Sequence, residues 1–254
     1  MEEHTPTAAV LVIGNEILSG RTQDINLRFL AQNLAARGIR LAEARVIPDI
    51  AAVIVAVVNE LRARYDMVFT TGGIGPTHDD ITSECVAAAF GVPWEPHPEA
   101  WARMEAAYKP GEFNPARQRM ATMPRGARLI DNAISVAPGF SIGNVHVLAG
   151  VPRIMQSMFE TLAPSLPGGT PIAACAVHAL GVSEGRIAEG LGAVQARYPG
   201  VDIGSYPFYR PGGNGVAIVA KGTDPARLEA AIAEVAGLFV GLGYAPVTGE
   251  PAAA

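Results

Sequence analysis

Cysteine is scarce in this chain of 254 residues, which contains only Cys85 and Cys175. These two residues lie far apart and match none of the spacings that metal sites use. Cys85 falls within a predicted amphipathic helix, so we expect it to be a free and buried thiol. The sequence therefore offers no cysteine-based metal centre.

Charged residues and long apolar runs are also few. Charged side chains make up 17% of the chain and hydrophobic ones 49%, which is a globular rather than a disordered composition. A net charge of −5 provides no positive field to attract nucleic acid or an anionic membrane. No apolar run approaches the roughly 20 residues that span a bilayer, and the N-terminus lacks the basic start of a signal peptide. We expect a cytoplasmic protein of one or two domains that binds neither nucleic acid nor membrane.

Glycine and acidic residues, by contrast, are concentrated in residues 65–84. Met67–Phe69 is a short apolar run of the kind that forms a buried parallel strand. After it come a glycine turn, an acid pair and a pattern of helical periodicity over residues 81–90. The turn contains Gly72, Gly73, Gly75 and Pro76, and the acid pair is Asp79 and Asp80.

A turn of this kind in an open α/β sheet lies at the carboxyl end of a strand, where ligands bind. Its backbone N–H groups and the N-terminus of the following helix favour an anion. Two carboxylates beside a bound anion imply a divalent cation or a proton between them. The alternative is that Asp79, Asp80 or Thr82 only caps the helix.

Two earlier segments place further acids at the same predicted edge of the sheet. Ala8–Ile13 is typical of a buried strand and precedes a turn that contains Glu16, while Leu41–Ile47 is a second strand followed by Asp49. Helical patterns separate the strands, so the βαβαβ order predicts a parallel sheet with right-handed crossovers. The strand ends would bring Glu16, Asp49 and the acid pair together, unless Asp49 serves only as a helix N-cap.

Residues 93–162 carry aromatic, basic and histidine side chains with different expected roles. The aromatic residues within 94–113 recur partly at helical spacing and indicate packing. Arg117 and Arg119 would either reach phosphates or remain solvated. His146 is expected to be half-buried and hydrogen-bonded.

A proline- and glycine-rich linker at residues 164–171 introduces a second domain. The pattern beyond it, a strand, a helix, two strands and a helix, predicts a small α+β fold over residues 170–244. We expect this domain to serve in subunit packing. The Ala-rich residues 245–254 are predicted to be a disordered tail.

These motifs, taken in order, resemble a known family. Residues 70–82 (Thr-Thr-Gly-Gly-Ile-Gly-Pro-Thr-His-Asp-Asp-Ile-Thr) are similar to the signature of the MoaB/Mog-type molybdopterin-binding domain. More narrowly, they resemble its version in the CinA family, the competence/damage-inducible protein A group. Residues 14–20, 137–139 and 150–152 follow the order of that family. Residues 181–184 and 203–207 resemble the small KH-like domain that comes next in CinA proteins.

The resemblance implies a three-layer α/β/α domain with a mostly parallel sheet over residues 6–166 and a KH-like α+β domain over residues 170–244. It implies a site for a phosphorylated pterin or nucleotide. For the CinA type it implies metal-dependent hydrolysis of a nucleotide pyrophosphate such as ADP-ribose, with Mg²⁺ or Co²⁺. The alternative is a protein of molybdenum cofactor biosynthesis that binds molybdopterin or a nucleotide without turnover. The expected assembly is a homodimer or homotrimer.

The resemblance has limits that the residues themselves define. The deamidase domain of full-length CinA proteins has no counterpart in these 254 residues, so its activity is not implied. The family usually has Thr, Ser, Gly, Thr and Pro at five positions where this chain differs. These positions are Ile25, Leu27, Ser135, Val136 and Ala149.

The expected site residues fall into three groups. The catalytic candidates are Asp80, Asp49 and Glu16, of which Asp49 and Asp80 match functional aspartates of the molybdenum-cofactor enzymes. The candidate metal ligands are Asp79 and Asp80. The ligand-binding candidates are Gly14, Asn15, Gly20, Asn26, Thr71, Gly72, Gly73, Gly75, Thr77, Gly150 and Pro152.

Overall fold

The computed structural model describes residues 5–251, which divide into a larger unit that ends at Gly169 and a smaller unit that begins at Thr170. Each unit has its own sheet and its own hydrophobic core. No helix within residues 5–251 is both long and apolar enough to cross a membrane.

A six-stranded sheet, in the order β2-β1-β3-β8-β7-β6, forms the centre of the larger unit, and two short strands, β4 and β5, pair beside it. The first four strands of that order run parallel, β7 runs antiparallel to β8, and β6 runs antiparallel to β7. The strands are β1 (Thr7–Ile13), β2 (Arg40–Ile47), β3 (Met67–Thr71), β4 (Trp94–Pro96), β5 (Thr122–Pro124), β6 (Arg128–Ile130), β7 (Gly139–Ile142) and β8 (Val145–Leu148).

Helices cover both faces of this sheet. Successive strand residues point to opposite faces of the sheet. Leu11 of β1 therefore packs in one core with the helix that contains Ile54, while Val10 packs in the other core with the helix that contains Leu30. The three-layer α/β/α arrangement with a mostly parallel sheet confirms the predicted fold class. The helices are α1 (Asn15–Leu18), α2 (Asn26–Ala35), α3 (Ala51–Arg64), α4 (Thr82–Phe90), α5 (Pro98–Ala107), α6 (Pro115–Arg119) and α7 (Pro152–Leu162).

The smaller unit is an antiparallel sheet with the strand order β10-β11-β9-β12 and two helices. Its core joins Val177 and Ile218 of the sheet to Val235 and Phe239 of the last helix. The predicted order of strand, helix, two strands and helix is observed. The elements are β9 (Ala173–Leu180), α8 (Glu184–Arg197), β10 (Asp202–Arg210), β11 (Gly213–Gly222), α9 (Pro225–Gly241) and β12 (Pro246–Thr248).

The prediction of a disordered tail over residues 245–254 is wrong for its first part. Pro246–Thr248 forms the edge strand β12, which pairs antiparallel with β9. The amide of Gly249 donates to the carbonyl oxygen of Ala176 at 2.8 Å, and the Gly249 carbonyl lies 2.7 Å from the His178 ring. Backbone hydrogen bonds hold this strand in the sheet. The prediction missed it because the amino-acid composition of a segment does not show whether its backbone pairs with another strand. Residues 252–254 lie outside the described residues.

Two polar side chains in the core of the larger unit, Cys85 and His146, were predicted from the sequence with different success. Cys85 is free and buried as predicted, and burial raises the pKa of its thiol to about 11. His146 is hydrogen-bonded as predicted, with Nδ1 2.8 Å from the Ser141 hydroxyl, but it is fully rather than half buried. Burial, and secondarily the positive charge of Arg128, lowers the pKa of His146 to about 4.

The buried His146 predicts a loss of stability in mild acid. The pKa of His146 is lower in the folded chain than in the unfolded chain, so the unfolded state binds the proton more readily. The stabilisation is therefore complete above about pH 6.5 and is lost as the pH falls towards 4, by about 3 kcal/mol in all. Denaturant unfolding of wild type and His146→Gln between pH 7 and 4 would measure this difference. His78→Gln is the control because the His78 side chain is 98% exposed, and an equal pH dependence in all three proteins would contradict the prediction.

Candidate functional site

Three loops meet at the carboxyl ends of the adjacent parallel strands β1, β3 and β8. The Gly72 amide after β3 donates to the carbonyl oxygen of Leu148 at the end of β8, at 3.2 Å. Gly72 has a φ of 99°, and a Cβ at this position would overlap the carbonyl oxygen of Ile13 at the end of β1. A Cβ on Gly150 would in turn lie 3.2 Å from the Gly72 Cα. Only glycine permits the three strand ends to approach this closely.

A cavity of about 560 Å³ lies at this edge of the larger unit. Its volume is within the range of small-molecule sites. Its lining includes the apolar side chains of Met120, Ile154 and Met158 together with two carboxylates and the glycine turn. The predicted site residues that line it are Glu16, Gly72, Gly73, Gly75, Asp80, Gly150 and Pro152.

Asp80 is held against the glycine turn by its own loop. Its Oδ2 accepts hydrogen bonds from the Thr77 amide at 2.8 Å and from the Thr77 hydroxyl at 2.5 Å. A Cβ on Gly75 would lie 2.6 Å from the same oxygen, so a side chain there would displace the carboxylate. Helix α4 begins after Ile81, which makes no side-chain cap, so the alternative that Asp79, Asp80 or Thr82 caps this helix is wrong.

Asp79 and Asp49 are not in the lining of the cavity. The Asp79 side chain is 60% exposed, and a hydrogen bond from the Thr77 hydroxyl lowers the pKa of its carboxyl group. Asp49 Oδ2 accepts the backbone N–H of Asn15 at 2.8 Å and so ties the start of α1 to the end of β2. The residue before α3 is Ile50, without a side-chain cap, so the N-cap alternative for Asp49 is also wrong.

The remaining predicted residues separate into two sets. Asn26 and Thr71 line a smaller cavity of about 60 Å³, together with Glu16, Gly72, Gly150 and Pro152 of the main one. Neither cavity is lined by four of the predicted residues. These are Gly14, Asn15, Gly20 and Thr77.

The two arginines for which the sequence left two roles open each donate to a backbone carbonyl oxygen. The Arg119 guanidinium donates to the Asp80 carbonyl oxygen at 3.2 Å and lies 5.0 Å from the centre of the Trp94 ring. The Arg117 guanidinium donates to the Glu112 carbonyl oxygen at 2.7 Å. Arg119 thus supports the loop that carries Asp80. No sequence pattern indicates such a contact across 39 residues.

The site offers few protein ligands for a metal ion. Within residues 5–251, no group of three or more His, Cys, Asp or Glu side chains is arranged to hold one. Asp80 lines the cavity, and its Oδ1 makes no hydrogen bond to any described residue. One or two carboxylates suffice for an ion such as Mg²⁺ when phosphates and water complete its coordination. The residues therefore fit a metal that arrives with a phosphorylated ligand.

The larger unit thus has an α/β fold with its candidate site at the carboxyl ends of parallel strands, where open α/β folds bind ligands. A family model described as "Probable molybdopterin binding domain" matches residues 9–168, and one described as "FAD synthase, middle domain" matches residues 176–241. The chain therefore belongs to the molybdopterin-binding-domain family, and its homologues include CinA-like proteins. The KH-like character of the smaller unit stays a prediction.

Three relatives illustrate the match. A CinA-like protein of Citrifermentans bemidjiense is 41% identical over 167 residues, which cover 63% of this chain and 40% of the relative. A protein of Aeropyrum pernix is 35% identical over 217 residues, which cover 82% of this chain and 81% of the relative. The crystal structure of the protein CinA from Thermoplasma acidophilum is 31% identical with a TM-score of 0.60, and covers 63% of this chain and 98% of that chain. The chain thus spans less than half of the first relative.

The close approach of the strand ends predicts that Gly72→Ala destabilises the larger unit strongly. The left-handed backbone costs about 1–2 kcal/mol with a side chain, and the overlap with the Ile13 carbonyl adds to it. Gly126→Ala is the matched control because Gly126 has a φ of 84° and no atom within 4 Å of a built Cβ. Thermal and denaturant unfolding should show a loss at Gly72 at least about 2 kcal/mol larger than at Gly126. Equal losses would show that the strand ends do not constrain this position.

Proposed function

We propose that the main cavity binds a nucleotide diphosphate, with ADP-ribose as the leading candidate, and hydrolyses its pyrophosphate bond with a divalent metal ion such as Mg²⁺ or Co²⁺. One observation carries the proposal. The glycine turn and two carboxylates from different loops, Glu16 and Asp80, border the same cavity. This combination suits a ligand that carries both phosphates and a metal ion.

Backbone amides supply the phosphate contacts. Among residues 5–251, the N–H groups of Gly73, Ile74 and Gly75 donate to no other group, and these residues line the cavity. Helix α7 begins at the same rim after Val151, which provides no side-chain cap, so its first N–H groups are also available. Consecutive free amides and a helix N-terminus both favour an anion. These donors support a phosphate site formed by the glycine turn and the start of α7.

Asp80 would hold the metal ion at these phosphates. Because Thr77 fixes Oδ2, the carboxylate has one defined orientation, in which Oδ1 has no protein partner among the described residues. A bound divalent ion would neutralise phosphate charge and lower the pKa of an attached water.

Glu16 is the better candidate for the general base. Its carboxylate makes no hydrogen bond to the described residues, and it lines both cavities, so it is free to accept a proton from the attacking water. Asp49, the other candidate, already accepts the Asn15 amide. We assign Asp49 a positioning role, since it holds the turn from which Glu16 projects.

A second candidate function is binding of molybdopterin or a nucleotide without turnover. The family match described as "Probable molybdopterin binding domain" supports it. The same amide donors of residues 73–75 would then hold the phosphate of the ligand, and Glu16 would have no chemical role. Turnover distinguishes the two functions.

The proposed hydrolysis predicts different effects for the two adjacent aspartates. Purified protein incubated with ADP-ribose and Mg²⁺ or Co²⁺ should release AMP. Asp80→Asn should lower kcat/KM by about 100-fold or more, since a metal ion contributes several kcal/mol to such a reaction. Asp79→Asn is the matched control, and an exposed carboxylate outside the cavity should change the rate by no more than about 3-fold.

Three results would revise this proposal. Binding of ADP-ribose by calorimetry without AMP release would favour the binding function. Equal rates for wild type and Asp80→Asn would remove Asp80 from the reaction. A loss confined to Asp79→Asn would move the metal ion out of the cavity and onto the exposed loop.

A further inference from the structure

The smaller cavity, which we call the side cavity, is not required for the proposed hydrolysis. It has a volume of about 60 Å³, more than the roughly 30 Å³ that one water molecule occupies in the liquid. Glu16, Thr22, Gly72, Gly150 and Pro152 line both it and the main cavity. The two cavities are therefore adjacent.

Two residues in the lining of the side cavity, Asn26 and Thr71, each have a buried polar side-chain atom without a partner. Asn26 is 4% exposed, and its amide group donates from Nδ2 to the Gly150 carbonyl oxygen at 2.8 Å. Its Oδ1 is buried and accepts no hydrogen bond from any described residue. Thr71 is 1% exposed, and its Oγ1 is likewise buried without a partner. Buried polar groups without hydrogen bonds are rare because each one costs free energy.

The chemistry of these atoms selects the group that fits. Asn26 Oδ1 is an acceptor and Glu16 carries a carboxylate, so a phosphate in the side cavity would meet like charge at Glu16 and a second acceptor at Asn26. A divalent cation would find two carboxylates in this lining, Glu16 and Asp24, of which Asp24 Oδ1 already accepts the Leu27 amide at 2.9 Å, and no described group of three or more metal-binding side chains includes them. A neutral group that donates hydrogen bonds satisfies both orphaned atoms.

We propose that the side cavity is a subsite for a hydrogen-bond-donating group of the ligand, either a sugar hydroxyl or an amino group, held by Asn26 Oδ1 and Thr71 Oγ1. This inference rests on the proposed function, because it requires phosphates at the glycine turn of the adjacent main cavity. It adds a requirement that a phosphate site alone does not impose. The ligand must carry a donor within reach of its phosphates, as a nucleotide does and inorganic pyrophosphate does not.

Two neighbouring threonines provide a matched pair of variants. Thr71→Val removes the hydroxyl in the side cavity with little change in shape. Thr70→Val removes a hydroxyl that is also buried and unpartnered, but Thr70 points to the opposite face of β3 and lines neither cavity. Neither hydroxyl has a protein partner to lose, so both variants should unfold at or above the wild-type temperature.

Dissociation constants for ADP and pyrophosphate test the subsite. Thr71→Val should weaken ADP binding by about 2- to 10-fold, the range for one neutral hydrogen bond, and leave pyrophosphate binding unchanged. Thr70→Val should change neither. Inosine diphosphate, which keeps the ribose hydroxyls but lacks the adenine amino group, separates the two donor sources. An effect of Thr71→Val that persists with inosine diphosphate identifies the hydroxyl, and one that disappears identifies the amino group.

The contrary outcomes are distinct from failure of the proposed function. Unchanged ADP affinity in Thr71→Val, with pyrophosphate still bound, would overturn the subsite and leave the phosphate site standing. Equal weakening of ADP and pyrophosphate would also overturn it, because the effect would then act through the phosphates. If wild type binds neither ligand, the proposed function fails and the subsite fails with it.

Discussion

The approach of three strand ends at Gly72 is the constraint on which the site depends. Strands β1, β3 and β8 are hydrogen-bonded neighbours, so the loops that leave them must share one small region of space. A Cβ on Gly72 would overlap the Ile13 carbonyl oxygen, and a Cβ on Gly150 would lie 3.2 Å from the Gly72 Cα. Because Gly72 has no side chain, the loops can pack together at this point. The cavity lies beside this contact and is lined by residues of the same loops. The same approach brings Glu16 from one loop and Asp80 from another to a single ligand-sized space.

The carboxylates at this edge are positioned by backbone and hydroxyl donors. Asp80 bonds to Thr77 and Asp49 bonds to Asn15, so each aspartate stabilises a loop rather than a helix N-terminus. These hydrogen bonds restrict the conformations of the two loops, because each carboxylate accepts from one particular backbone amide. It also separates the acids by role. Asp49 holds a turn in place, whereas Glu16 and Asp80 keep carboxylate oxygens available at the cavity.

Much of this architecture was predictable from sequence, because the signals were local. Short apolar strands, glycine turns and the helical patterns between them defined the parallel sheet and located residues 72–80 at a strand end. The role of Asp49 was not predictable, since a carboxylate before a helix normally caps it, and its actual partner, the Asn15 amide, lies 34 residues away. The apolar part of the cavity lining was not predictable from the sequence either. Met120 and Met158 have the pattern of core residues, and only the tertiary fold shows that they border a cavity. Strand β12 was missed because its backbone, rather than its side chains, holds it in the sheet.

The central claim is that phosphate oxygens bind the backbone amides of the glycine turn. Amide chemical shifts followed by NMR during a pyrophosphate titration test it directly, because each N–H reports its own contact. The account predicts that the largest shifts occur at Gly73, Ile74 and Gly75 and that they saturate together. It would be contradicted if these three amides stayed unchanged while pyrophosphate bound, or if the largest shifts appeared in residues outside the cavity.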